Sequence, residues 1–338
     1  MNSNCHDLPI TVLGAGAWGT ALATHFAGRH PVTLWTRSQV HAEAMREHRQ
    51  NARYLPGVAL PSTLSIEHNL AAAIAHAGLL LIAVPSSGLR SLMASLASLG
   101  WNKPLIWVCK GFEEGTGLLP HQVIGQTLPG VACGALSGPS FALEVAKGLP
   151  TALTLASHDA ALTGNIAPCL HGGNLRVYTT HDVIGVELGG AIKNVIAIAA
   201  GISDGLGFGF NARAALITRS AAEITRLGIA MGGHLETFMG LTGMGDLILT
   251  CTGELSRNRQ VGLRLARGET LNTILSTLGH VAEGVTSARE TLRLAAQYGV
   301  DMPISHAVYA ILYENLSPRQ AVESLLHRDQ KAEDPRTQ

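Results

Sequence analysis

Aromatic side chains are scarce: Phe, Tyr and Trp together make up 4% of 338 residues. So few rings exclude a stacking platform for single-stranded nucleic acid. Charge is scarce too, at 14%, and 24 Lys and Arg balance 24 Asp and Glu. That balance excludes a strongly basic nucleic-acid binder and an acidic tail protein, leaving room only for local patches. The five cysteines (Cys5, Cys109, Cys133, Cys169, Cys251) are odd in number and lack CxxC spacing. They are expected to be reduced thiols of a cytosolic chain. Fifteen histidines form neither HExxH nor HxxxH, and no carboxylate cluster suggests a metal, so a metal centre is not expected. The opening MNSNCHDLPI has no basic region and no long apolar run, so it does not read as a signal peptide. The most apolar stretch, residues 71–85, carries His76 and breaks at Gly78. It reads as helix end, turn and buried strand rather than a membrane span. The expectation is a soluble, cytoplasmic protein.

What the chain does have is apolar mass and glycine. Apolar residues reach 46% with mean hydropathy +0.22, ample for packed cores, and the length suggests two domains. Glycine numbers 38, about 11% against the usual 7% or so. With no collagen period, the excess belongs in turns, helix ends and close backbone approaches. In the first half, short apolar runs alternate with helical stretches: ITVLG (10–14), VTLWT (32–36), LLLIAV (79–84), LIWVC (105–109), ACGALS (132–137) and ALTLA (152–156). That alternation predicts a mostly parallel, doubly wound α/β sheet. Beyond Asp182 the periodicity is helical throughout. The boundary is placed near 178–182, giving a dinucleotide-binding domain at 1–180, a helical substrate and catalytic domain at 181–330, and a fraying polar tail at 331–338.

Between the first strand and a helix predicted over 18–27 stands Gly14-Ala15-Gly16-Ala17-Trp18-Gly19, a GxGxxG. The motif alone is weak, but a strand before it and a helix after it are its confirming context. Gly14 permits the turn, Gly16 lets a pyrophosphate touch backbone, and Gly19 lets helix pack on strand. The helix N–H groups then hold the anion. NAD-selective sites carry an acidic residue about 20 positions on. Here the second strand ends Trp35-Thr36-Arg37-Ser38 instead. A guanidinium at Arg37 suits a 2′-phosphate, so NADP(H) is expected to be preferred over NAD(H); a solvated surface arginine is the alternative. The glycine-dense GISDGLGFG (201–209) follows a helix rather than a strand, so it reads as a helix stop, not a phosphate loop.

Lys193 lies in GGAIKNVIAIAAG, a segment apolar on every face and hence a buried helix. Its neighbours three and four positions away, Gly189, Gly190, Ile196 and Ala197, cannot pair with an ammonium. Such a lysine has a depressed pKa suited to acid–base catalysis, unless it snorkels to the surface. Asp246, in GLTGMGDLILTC, stands among glycines that allow close approach and where a helix could begin; a helix N-cap is the alternative. Ser256 is a natural N-cap, and Arg257 and Arg259 in the following turn oppose the macrodipole. A bound phosphate would reverse that penalty; a solvated basic turn is the alternative. Lys110 follows one strand and the Ser137-Gly138-Pro139-Ser140 turn another, both at the carboxyl edge where open α/β sheets bind ligands.

Several blocks in order resemble bacterial NAD(P)-dependent glycerol-3-phosphate dehydrogenases over nearly the whole length. They are GAGAWGTALA, NARYLPG (51–57), VCKGFEEGTG (108–117), SGPSFALEVAKGLPTA (137–152), VELGGAIKNVIAIAAGISDGLG (186–207), TGMGDLILTCTG (242–253), LSRNRQVG (255–262) and VAEGVTSA (281–288). The resemblance implies reversible reduction of dihydroxyacetone phosphate to sn-glycerol 3-phosphate, with Lys193 as general acid/base and Asp246 orienting it. It implies substrate contacts from Lys110, Gly138, Ser140, Lys193, Asp246, Ser256, Arg257 and Asn258. For the cofactor it implies Gly14, Gly16, Ala17, Trp18, Gly19, Arg37, Lys110, Ala142, Arg257, Val281 and Glu283. It also implies a homodimer. The family commonly has Ser where this chain has Ala17, which removes one hydroxyl contact to the cofactor phosphates. Two other readings share parts of the pattern: the same fold acting on another hydroxy acid or sugar-acid phosphate, and a dinucleotide sensor without chemistry. The sensor has no need of a buried lysine beside a phosphate-binding helix end.

Overall fold

The computed structural model describes residues 7–278 and 282–327. Cys5, Val281 and the polar tail from residue 328 onward therefore lie outside the described residues. Among the described residues, eight strands form one sheet: β1 (Ile10–Leu13), β2 (Val32–Trp35), β3 (Ser65–Glu67), β4 (Leu79–Ile82), β5 (Leu105–Trp107), β6 (Cys133–Ser137), β7 (Thr151–Ala156) and β8 (Leu175–Thr180). Their order is β3-β2-β1-β4-β5-β6-β7-β8. All neighbours are parallel except β6 and β7. The central strands β1 and β4 are buried at every position, as strands covered on both faces must be. Helices α1 (Ala17–Phe26), α2 (Gln39–His48), α3 (Leu70–Ile74), α4 (Ser86–Ser98), α5 (Pro120–Thr127), α6 (Ala142–Ala146) and α7 (Ala160–Leu170) connect the strands. Leu22 and Phe26 of α1, Met45 of α2 and Ile166 of α7 pack one face. Ile74 of α3, Met93 of α4 and Ile124 of α5 pack the other. The predicted doubly wound sheet is present, with β3 and β8 added at its edges and both β7 and β8 running against the other strands.

From Val183 on, the described residues are helical: α8 (Val183–Gly205), α9 (Gly209–Ala230), α10 (Leu235–Met239), a π-helical turn (Leu241–Gly245), α11 (Asp246–Thr252), α12 (Arg257–Ala266), α13 (Leu271–Leu278), α14 (Glu283–Tyr298), α15 (Pro303–Tyr313) and α16 (Pro318–Leu326). The glycine-dense 201–209 segment ends α8 and leads into α9, as expected of a helix stop. Helix α8 is the spine of this half and packs against α9, α11, α12, α14 and α15. By length and composition it could cross a membrane, but 89% of its apolar stretch is buried in protein. Asp182 caps it, accepting from the Gly185 N–H at 2.8 Å, and ties it to the His234 N–H at 2.8 Å. Helices α8 and α12 cross backbone against backbone. A Cβ on Gly201 would sit 2.0 Å from the Arg259 carbonyl oxygen, and one on Gly262 2.0 Å from that of Ile198.

Cys109, Cys133 and Cys251 are free thiols. Cys169 is disulfide-bonded, which corrects the reading of all five as reduced. Spacing along the chain cannot reveal cysteines that the fold brings together.

Candidate active site

The glycine-rich turn sits where strand order reverses, between β1 and β4. Gly14 has φ +122°, and a Cβ there would lie 2.7 Å from the Ala83 carbonyl carbon and oxygen. A Cβ on Gly19 would strike the Gly14 carbonyl oxygen at 1.9 Å. Gly16, the N-cap of α1, faces nothing within 4 Å. Two of the motif's glycines thus serve packing, and the middle one leaves backbone open to a ligand. No acidic residue occupies the first turn of α1, so its N–H groups are unopposed. Ala17, Trp18 and Ala142 meet in one small apolar cluster with Leu55, Val58 and Val145. Arg37 is exposed just past β2, with no hydrogen bond or ion pair among the described residues.

Sequence reasoning missed the clamp on this turn. Asn51 is 1% exposed, and its Nδ2 donates to the Ala15 carbonyl (2.9 Å) and to Thr20 Oγ1 (2.7 Å). Its Oδ1 faces His41 Nε2 at 3.0 Å and accepts from the Tyr54 N–H at 3.2 Å. The block NARYLPG marks the place, but nothing in its composition says that this asparagine bonds backbone 36 residues away.

The second cluster lies at the carboxyl edge of the sheet, where α8 crosses. Lys193 points from the middle of α8 and is 7% exposed, so the snorkelling alternative does not hold. Its Nζ donates to Asp246 Oδ1 at 2.5 Å and to Thr250 Oγ1 at 2.9 Å. The Thr250 hydroxyl donates in turn to the Asp246 carbonyl, leaving a lone pair for the ammonium. The other Asp246 oxygen accepts from Lys110 Nζ at 2.7 Å, and Lys110 also donates to the Gly138 carbonyl at 3.2 Å. One aspartate, 1% exposed, therefore holds two ammonium groups. Asp246 opens α11, whose N-cap is Gly245, so its carboxylate serves the lysines and not the helix end. Burial pulls the Lys193 pKa down to about 8; Asp246 opposes that shift and Lys110 adds to it.

Glu283, at the start of α14, closes one side. Its carboxylate accepts from Asn194 Nδ2 at 3.1 Å. Burial pushes its pKa up, against the pull of Arg257, Lys110 and Lys193. Asn258 donates to Asn194 Oδ1 at 2.9 Å and accepts from the Gly284 N–H at 3.0 Å, so its side chain braces α8 to α14. Its backbone N–H stays available at the start of α12. Ser256 caps that helix by accepting from the Arg259 N–H at 3.3 Å, as the sequence suggested. The two arginines differ. Arg259 is bound to Asp204 through Nε (2.9 Å) and Nη2 (2.6 Å), while Arg257 is exposed with no hydrogen bond or ion pair among the described residues. Arg257 is therefore the guanidinium open to an anion. Ser140 Oγ donates to the Gly138 carbonyl at 3.0 Å, holding the turn that carries both residues.

Two ammoniums against one carboxylate, beside a helix N-terminus and a free guanidinium, form a site built for an anionic ligand. Models of the NAD-dependent glycerol-3-phosphate dehydrogenase N-terminus and C-terminus match residues 9–163 and 182–323. A glycerol-3-phosphate dehydrogenase [NAD(P)+] from Thiobacillus denitrificans is 59% identical over 96% of this chain and 100% of its own. Its counterpart from Dechloromonas aromatica is 56% identical over 96% and 99%. The crystal structure of glycerol-3-phosphate dehydrogenase from Coxiella burnetii superposes with a TM-score of 0.91 at 42% identity, covering 96% of this chain and all of that one. By fold, site and sequence, this chain belongs to the NAD-dependent glycerol-3-phosphate dehydrogenase family.

Proposed function

We propose that this protein catalyses the reversible reduction of dihydroxyacetone phosphate to sn-glycerol 3-phosphate with NADPH or NADH, supplying the backbone of glycerophospholipids. The observation that carries this reading is the buried Lys110–Asp246–Lys193 cluster beside the open N-terminus of α12. Residues 1–180 serve the dinucleotide, and 181–330 carry the catalytic helix. A small phosphorylated substrate, no nucleic-acid or membrane partner, a homodimer and a cytoplasmic location complete the reading.

The residues fit a dinucleotide: the open face of Gly16 and the unopposed N–H groups of α1 suit a pyrophosphate. Gly14, Gly16, Ala17, Trp18 and Gly19 would hold it on one side, with Arg37, Lys110, Ala142, Arg257 and Glu283 around it. When bound, the reduced nicotinamide would supply the hydride that the ketone carbon takes up. Lys193 gives a proton to the oxygen as negative charge builds there, and Lys110 adds preorganised positive charge beside it. Asp246 keeps both ammoniums in place. Arg257, the backbone N–H of Asn258 and the Ser256-capped helix end anchor the substrate phosphate, while Gly138 and Ser140 line the carbonyl side. Remote phosphate binding thereby becomes orientation at the reacting carbon.

The direct test follows the absorbance of NADPH when dihydroxyacetone phosphate is added. Steady loss supports the reading. Loss with another phosphorylated ketone only would change the substrate, and binding without turnover would leave a sensor. Arg37 gives a second expectation, because charge-assisted hydrogen bonds contribute more than neutral ones. Arg37→Ser should raise KM for NADPH about tenfold or more while KM for NADH stays within about twofold. An equal rise for both would mean that Arg37 does not read the 2′-phosphate. Asn51→Ala strands the Ala15 carbonyl and His41 Nε2 in the interior, at about 1–3 kcal/mol. KM for the cofactor should rise several-fold while kcat at saturation stays near wild type. Steady-state kinetics with varied NADPH and thermal melts check both effects.

A further inference from the structure

A second buried ionisable pair stands behind the lysines. Glu187, about one and two-thirds turns before Lys193 on α8, has only 2% of its side chain exposed. Its Oε1 accepts from the His121 N–H at 2.9 Å, and its Oε2 contacts His121 Nδ1. The His121 side chain is 23% exposed, so this pair reaches solvent on the face of α5. Between β5, α5 and α8 lies a cavity of about 10 Å³, lined by Trp107, Lys110, Ser137, Glu187 and Gly190 among others. That is room for one water. Two of its lining groups, Ser137 Oγ and Trp107 Nε1, are buried without a hydrogen-bond partner. Buried polar atoms of this kind mark the position of an ordered water. The Trp107 side chain favours the charged form of Glu187, so the indole faces that carboxylate at the cavity without closing an ordinary hydrogen bond among the described residues. On the site side, Ser137 Oγ lies 3.3 Å and Lys110 Cγ and Cδ 3.5 Å from where a Gly190 Cβ would stand. The glycine thus leaves room for the hydroxyl and for the methylenes of Lys110, whose Nζ is turned to Asp246 and the Gly138 carbonyl.

Each reduction takes one proton from Lys193, and that proton must be replaced from solvent. We propose that the cavity holds one water joining Ser137, Trp107 and Glu187, and that the line His121–Glu187–water returns a proton to Lys110, which also borders the cavity, and so to the lysine pair. The step balances. Lys193 passes a proton to the alkoxide and recovers one from Lys110 across Asp246. Lys110 is reprotonated through the water, Glu187 gives up the proton that this takes, and His121 reloads Glu187 from solvent.

Other charged groups face this pair. Cys109 and Lys110 follow β5, Cys133 lies on β6, and the His158 ring stands edge-on to His121 at 6.4 Å. Burial pushes both thiols up, so they stay neutral near pH 7, and Glu187 is the carboxylate that can exchange the proton.

The proposal rests on the dehydrogenase reading, and two experiments separate their failures. The first is a high-resolution crystal structure of the wild-type protein. A water within hydrogen-bond reach of Ser137 Oγ, Trp107 Nε1 and Glu187 supports the proposal, and a dry cavity overturns it whatever the activity. The second compares Glu187→Gln, Glu187→Asp and His121→Asn with wild type in the reduction of dihydroxyacetone phosphate. For Glu187→Gln and His121→Asn, kcat above neutral pH should fall about tenfold, with a larger solvent deuterium isotope effect and both KM values within about twofold. Glu187→Asp, which keeps the acid, should recover most of the rate. An unchanged pH profile and isotope effect in Glu187→Gln, or a loss equal at every pH that tracks a lowered Tm, makes the pair purely structural and overturns the proton line. A wild type without turnover fails the functional reading and takes the proton line with it, while the water in the crystal stands on its own.

Discussion

Lys193→Ala should lower kcat for ketone reduction by about a thousandfold, within the range that a lost general acid costs, while NADPH affinity stays within about twofold. The chain should still fold, because Asp246 keeps Lys110 as its partner and no unpaired charge is left inside. Lys193→Arg is the sharper control. It keeps a positive charge near Asp246 but cannot give up its proton near neutral pH, so it should be nearly as inactive. If the arginine variant retained most activity, Lys193 would act through charge alone. The pH dependence follows from its depressed pKa of about 8. Reduction needs the protonated form, so kcat/KM should be level below pH 8 and fall about tenfold per unit above it. Oxidation of glycerol 3-phosphate needs the neutral form, so its profile should rise toward pH 8 and then level. The opposite slopes also match the one proton consumed by reduction.

What the chain announced in advance depended on how local the signal was. The glycine turn was legible because strand, turn and helix are consecutive and each glycine has its own steric reason. The inner strands were legible as apolar runs. Strand β3 was not, since Ser65–Glu67 is three residues with one buried position. Strand β8 was not either, because LRVYTT alternates buried and exposed at a sheet edge. The reversal of β7 is set by how the chain returns after the Gly138 turn, which no hydrophobic pattern encodes. At the site, the burial of Lys193 and its need for a distant carboxylate could be inferred, but not that one aspartate would serve two lysines. Arg257 and Arg259 looked alike until the fold gave Arg259 to Asp204. Asn194 and Thr250 act across 50 residues or more and left no local trace. Glu187 did leave one: a carboxylate in a helix apolar all round invites the argument made for Lys193.

Asp246→Asn separates the helix cap that its place in the sequence suggests from the charge-holding role that its contacts give it. Asparagine caps helices as well as aspartate does, so a capping role predicts almost no change in stability or rate. The charge-holding role predicts the opposite. The amide can accept from one lysine but turns its NH₂ toward the other, and both ammoniums lose their shared counter-charge. Breaking a buried ion pair this way costs about 3–5 kcal/mol if both stay charged. The protein can escape most of that cost by releasing a proton. Lys193 is the one to lose it, being the group whose pKa already lies near 8. At pH 7 the variant should then hold Lys193 largely neutral, and kcat/KM for reduction should fall about a hundredfold. The falling limb of its pH profile should move below neutrality, so lowering the pH to about 6 should recover part of the loss, where wild type gains nothing. A thermal melt should show a lowered Tm that recovers as pH rises, since removing the trapped proton relieves the buried charge. If rate, pH profile and Tm all match wild type, Asp246 is a helix-end residue and the lysines are held by something else. If the Tm falls but the pH profile does not move, the aspartate is structural and Lys193 draws its acidity from burial alone.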